Sequence, residues 1–198
     1  TRGDWAAAIG YANVAITNAR AAANLIYEYV SHVYLGLALA RQGRVAEGLQ
    51  IQQSAFTLAE RARTKVILGR AHAWLAEILL LDGQLEPAYD AAQRGEALSE
   101  EHGFLLEAAM CARVRGEVCT SLGKTTEAAE ALQRARVDLA ALEAWPEHGR
   151  AEAALGRLLL ALNNPTAGRK HLQKAVHLFA ELGMDWDLAQ TRHSLATS

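Results

Sequence analysis

Apolar residues recur along this chain at steps of three and four, the spacing that gathers them on one face of an α-helix. No stretch alternates apolar and polar residues long enough to make a strand, and only three prolines interrupt 198 residues. Ala and Leu dominate, so helix propensity agrees with the pattern from end to end. The predicted class is all-α.

The pattern also repeats. Gly3, Gly43, Gly83 and Gly123 stand 40 residues apart, and Asn163 continues the series. Gly and Asn are the residues that accept a left-handed backbone at a helix end. Arg44, Gln84, Lys124 and Asn164 follow them, and after each a new helical pattern begins. Three further columns hold only Gly or Ala. They are Gly36, Ala76, Gly116, Gly156; then Ala8, Gly48, Ala88, Ala128, Gly168; then Ala15, Ala55, Gly95, Ala135, Ala175. Glycine inside a helix costs about 1 kcal/mol relative to alanine, so its use there predicts close helix–helix approach. Large residues fill the spaces between, as in Leu39, Leu79, Cys119, Leu159. A second such column, Leu35, Leu75, Leu155, is interrupted by Arg115.

The predicted unit is helix, turn, helix. First helices are expected near 25–41, 65–81, 105–122 and 148–162. Second helices are expected near 45–61, 85–100, 126–142 and 166–182. Turn chemistry marks the connections at 101–103, at Trp145-Pro146 and at 183–185. Residues 3–20 read as a second helix without a first, and 185–196 as a further first helix or a cap. The expectation is about ten helices in one α–α superhelix over 1–198. Its parts are a partial unit at 1–21, full units at 22–62, 63–103, 104–143 and 144–183, and a terminal helix at 184–198. This reads as part of a longer solenoid or as one capped end of it.

These columns resemble the tetratricopeptide (TPR) pattern, with Leu155-Gly156 late in a first helix. In the turn and second helix the matching stretches are Gly43…Gly48…Ala55 and Gly123…Ala128…Ala135. The family's usual period is 34; the period here is 40, so the helices are longer. That longer form is similar to the repeat regions of large bacterial regulators. Examples are ATP-dependent transcription activators of the maltose-regulator type, and cyclases or kinases with helical tails. Leu178-Phe179-Ala180-Glu181-Leu182-Gly183-Met184 looks like one of their unit junctions. The resemblance implies a non-catalytic protein–protein interaction scaffold in a bacterial signalling or transcription regulator. Its concave face would bind a peptide or protein. A small-molecule effector-sensing module and a self-association module are the alternatives.

Composition narrows the partners. With 51% hydrophobic and 21% charged residues the chain is built to fold. Its formal net charge is -2 and its pI about 6.4. Lys and Arg are scattered singly, so no nucleic-acid-binding stripe is expected. The best apolar window, 71–81, is too short for a membrane span and carries Glu77, so neither membrane association nor a signal segment is expected. The location that fits is cytoplasmic. Cys111 and Cys119, eight residues apart on one predicted helix, are separated by roughly 12 Å along its axis, too far to bridge.

Candidate chemistry is sparse. Gly123-Lys124-Thr125 ends like a phosphate-binding loop, but Val118 stands where that loop needs its first glycine. His32 and His72 share a column on neighbouring units and lie too far apart for one ion. No nucleophile motif occurs. No enzyme activity, metal or cofactor is therefore predicted. The informative surface is the inner face of the first helices. It is apolar in the first unit (Val30, Val33, Leu37) and charged later. The candidate partner-binding residues are Arg70, Glu77, Met110, Arg113, Glu117, Arg150, Arg157 and His193. Arg113 and Glu117 are spaced to pair within one helix, and Glu117 and Arg157 to pair between units.

Overall fold

The computed structural model describes residues 3–197. It contains ten helices and, among the described residues, no strand. In order they are α1 (Trp5–Ala21), α2 (Leu25–Arg41), α3 (Val45–Arg61), α4 (Leu68–Leu81), α5 (Leu85–Glu101), α6 (Leu105–Ser121), α7 (Thr125–Ala141), α8 (Trp145–Ala161), α9 (Pro165–Glu181) and α10 (Asp185–Ala196). None is long and apolar enough to cross a membrane.

Every connection turns on a left-handed residue. Gly3, Ala23, Gly43, Arg63, Gly83, Gly103, Gly123, Glu143, Asn163 and Gly183 all have positive φ, at steps of 20 residues. After α2, the Gly43 N–H returns to the Ala40 carbonyl (3.0 Å) and the Arg44 N–H to the Leu39 carbonyl (2.9 Å). That pair of bonds satisfies carbonyls a helix end leaves open, and it sends the chain straight back. In the glycine series the step is 40, because the alternate turns use Ala23, Arg63 and Glu143 as well as Gly103 and Gly183.

The small-residue columns are the seams of the stack. Gly36 faces Gly48, and Gly156 faces Gly168. A Cβ on Gly48 would lie 2.7 Å from the Gly36 carbonyl oxygen, and one on Gly168 would lie 2.9 Å from that of Gly156. Side-chain-free backbones therefore touch in these two helix pairs, and alanine takes one or both places in α4/α5 and α6/α7. The third column sits between successive first helices: a Cβ on Gly95 would lie 2.6 Å from the His72 Cβ and 2.7 Å from the Cys111 Sγ. Among the described residues the first helices (α2, α4, α6, α8, α10) pack backbone to backbone on one another, whereas second helices meet through long side chains, as where Tyr89 and Glu96 on α5 bond Glu127 and Arg134 on α7. The first helices accordingly form the inner wall of the curve. A continuous apolar core runs from Tyr29 on α2 to Val118 on α6.

The winding is tight enough to bring the two ends together. Trp186, in the first turn of α10, meets the Trp5 ring edge-on (centroids 5.9 Å apart), and the Arg41 guanidinium lies 4.5 Å from its ring centre.

Two expected boundaries move. α4 starts at Leu68 rather than at 65, because the Thr64 hydroxyl accepts the Val66 N–H (3.2 Å) and Ile67 takes a left-handed φ of 49°. That local turn competes with the first helical turn. Trp145-Pro146, expected in a connection, instead opens α8. Proline's missing N–H leaves nothing unsatisfied at a first helical turn. The Gly123-Lys124-Thr125 segment is the α6–α7 turn, with the Lys124 ammonium 4.5 Å above the Tyr89 ring.

Candidate functional site: the inner face

The first helices project charged side chains inward, and these meet in one belt. The Arg113 guanidinium, 2% exposed, donates to Glu77, Glu117 and Glu147, the last at 3.1 Å. Glu77 also accepts from Arg41 on α2. Arg150 on α8 donates to Glu147 and to both oxygens of Asp187 on α10 (2.9 and 3.2 Å). Arg157 donates to Glu117 at 3.2 Å. Four guanidiniums and four carboxylates thus link all five inner helices.

Burying charge is costly unless every group is paired. Here burial alone raises the Glu77 carboxyl, but Arg41, Arg113 and Arg150 more than reverse it and hold Glu77 well below the usual carboxylate range. Burial likewise opposes the charged form of Arg113, and the carboxylates of Glu147, Glu77 and Glu117 outweigh it. Both groups are therefore held in their charged forms at neutral pH. Their donors and acceptors are already committed to one another.

The sequence candidates therefore divide. Glu77, Arg113, Glu117, Arg150 and Arg157 come together in the belt. Met110 is buried in the apolar core. Arg70 stands apart, bonded to Glu107 (2.8 Å) and to the Tyr34 hydroxyl (3.3 Å). His193 is exposed on α10. Three belt members lay outside the candidate set: Arg41, Glu147 and Asp187. Arg41 ends its helix, Glu147 fell beside the expected Trp145-Pro146 connection, and Asp187 lies in the terminal helix. Their signal was present as spacing. The pairs Arg41–Glu77, Arg113–Glu147 and Arg150–Asp187 are 36, 34 and 37 residues apart, each joining one inner helix to the next.

The belt separates two hollows. One, about 250 Å³, is polar and is bordered by Glu117, Arg157, Gln190, His193 and Ser194. Arg157 is its accessible cation, with 42% of its side chain exposed and Glu117 as its bonded carboxylate. The other, about 610 Å³, is walled by α1 and α2 through Tyr11, Ala15, Val30 and Tyr34, and floored by Glu147 and Arg150.

Polar clusters elsewhere are structural. Glu152 is buried between α7, α8 and α9, where it meets His171 at 2.5 Å and His148 and Arg136 at 3.6 Å. Burial, with the nearby Arg94 charge, pushes the His72 imidazole down to about 4, so it sits neutral against Phe56. Burial pushes the Cys111 thiol up to about 12, which leaves it unreactive. No His, Cys, Asp and Glu group among the described residues has the arrangement to hold a metal ion.

No family model and no curated protein matches the sequence. Solved structures do match in shape. BtubC from P. vanneervenii superposes over 98% of this chain and 82% of its own, with a TM-score of 0.72 at 16% identity. A Rap protein, solved in complex with Competence and Sporulation Factor, superposes over 99% of this chain and 59% of its own, with a TM-score of 0.69 at 15% identity. The nearly identical TPR-like repeats of a Podospora anserina kinesin light chain cover 92% of this chain and 98% of their own, with a TM-score of 0.53 at 14% identity. At such identities the likeness speaks for architecture, and in architecture this chain is a TPR-like solenoid of antiparallel helix pairs.

Proposed function

We propose that this chain is a non-catalytic scaffold that holds a polar segment of a protein or peptide partner in the hollow around Arg157, in the setting of a larger bacterial regulator. The carrying observation is the contrast within the belt. Arg113 has three carboxylate partners and almost no exposure, whereas Arg157 has Glu117 alone and faces solvent. A guanidinium presented this way pairs with a carboxylate of a bound segment. Gln190, His193 and Ser194 border the same hollow and offer further hydrogen-bonding groups. Rap, similar in fold, was solved with a bound factor, which agrees with a solenoid used for capture. The cytoplasm suits a scaffold whose two cysteines are free thiols.

The test is a displayed random-peptide library selected on the wild-type chain, with the selected peptides re-measured on Arg157→Glu. Reversing this charge should weaken them at least tenfold without lowering the melting midpoint. Selected peptides that bind both forms equally would remove the reading.

A further inference from the structure

The hydrogen bonds of the belt close on the carboxylate side and stay open on the arginine side. Glu77, Glu117, Glu147 and Asp187 have eight oxygens between them, and each accepts one guanidinium N–H. Arg113 and Arg150 supply six of those bonds, through three nitrogens each. Arg41 and Arg157 supply one each, both through Nη2. The Nε and Nη1 groups of Arg41 and Arg157 are therefore uncommitted, and they form two planar donor edges.

Both of these arginines border the polar hollow, which is walled by α2, α6, α8 and α10. Arg41 also touches the larger chamber, but its guanidinium is stacked over Trp186, which borders the polar hollow alone. The belt is lopsided in charge as well. All four guanidiniums wall the polar hollow, with only Glu117 and Asp187 of the carboxylates. Glu147 borders the chamber instead, and Glu77 borders neither. Four cations against two anions leave that wall two positive charges in excess. The group that completes it accepts hydrogen bonds, donates none and carries a double negative charge.

We infer that the polar hollow seats a phosphoryl dianion, carried on a phosphorylated side chain of the partner segment. This rests on the reading of that hollow as the partner's seat and names the group that fills it. A carboxylate is planar and matches one guanidinium edge, so Arg157 alone would satisfy it. A phosphoryl group turns three acceptor oxygens in different directions and carries about -1.5 to -2 charges at neutral pH. It can accept from two guanidiniums on different helices at once and cancel the excess. The hollow's volume of about 250 Å³ falls below the ~300 Å³ at which pockets for drug-sized ligands begin, so it suits one such group on its stem.

The experiment uses the whole chain and a peptide library with degenerate flanks around a central phosphoserine. The best binder is remade with serine and with glutamate at that position, and all three are measured by calorimetry. The phosphoserine form should bind at least tenfold more tightly than either twin. Arg157→Gln and Arg41→Gln should each bring it to within twofold of the serine form. Arg41→Gln leaves Glu77 to Arg113 alone, so its fold is checked by melting; Arg157→Gln changes an exposed side chain and carries the test by itself if Arg41→Gln unfolds. Four results would each overturn the inference: no enrichment over a serine library, equal affinity of the phosphoserine and serine forms, a glutamate form as tight as the phosphoserine form, or a phosphate gain that survives in Arg157→Gln. Inorganic phosphate binding as tightly as the phosphopeptide would overturn the assignment to a partner's side chain and make the hollow a site for free phosphate. Unphosphorylated peptides that are weakened by Arg157→Glu but gain nothing from a phosphate would leave the scaffold reading standing and sink this one.

Discussion

The seams and the belt hold the same solenoid together with opposite materials. At the seams, Gly36 on Gly48 and Gly156 on Gly168, side chains are removed so that backbones touch. In the belt, long side chains cross the interior, and Arg113 alone reaches carboxylates on three helices. A seam joins the two helices of one pair and fixes their separation. The belt joins different pairs and fixes the curvature. Seams tolerate no added volume, and the buried centre of the belt, around Arg113, tolerates no missing charge, whereas its exposed end at Arg157 does.

The largest effect should come from the belt. Arg113→Met strips Glu77, Glu117 and Glu147 of their shared partner, and urea unfolding should show a loss of about 3–5 kcal/mol, the usual result of leaving buried charge unpaired. A loss below about 1 kcal/mol would mean that the belt is decorative. The seam comes next. Gly48→Leu drives a side chain into the Gly36 carbonyl and should destabilise by up to about 3 kcal/mol, read by the same melt.

A third measurement probes a seam residue by pH. His72 is held neutral, its folded value lying at about 4 against 6.5 for the free side chain. Its contribution is therefore fully present above about pH 6.5 and is lost as pH falls towards 4, because the unfolded chain takes up the proton first. Stability should fall by about 2 kcal/mol between pH 7 and pH 5 on this account. His72→Gln should flatten that slope whatever it does to the stability at neutral pH. The belt should not respond in this window, since Glu77 is held ionised well below it. The smallest effect is a gain. Glu143 occupies a left-handed turn with φ 52°, and Glu143→Gly should raise stability by about 1 kcal/mol, seen as a higher melting midpoint.

The seams were legible in the sequence, and the belt only in part. A seam leaves a positional signature, because no residue but Gly or Ala fits, and Gly36, Ala76, Gly116 and Gly156 display it at one interval. Belt contacts depend on side-chain reach. Glu107, Glu147 and Asp187 do share one column, 40 residues apart, but Arg41 has Leu81 and Ser121 as its counterparts. An arginine can find a carboxylate a turn up or down, so a column of carboxylates does not name its partners. The irregular start of α4 escaped for a related reason. A single hydroxyl, Thr64, decides it, and periodicity does not weigh single hydrogen bonds. The polar hollow and the chamber are properties of curvature, which column spacing leaves open.

The meeting of Trp5 with Trp186 gives the molecule a built-in gauge. The two rings belong to opposite ends of the chain, so their separation sums the small rotations of every helix pair between them. A fraction of a degree added at each seam would go unnoticed locally, yet the errors accumulate in one direction and arrive together at that single joint. Indole emission from this pair should therefore register a change of winding anywhere along the coil, including one set off far from either tryptophan.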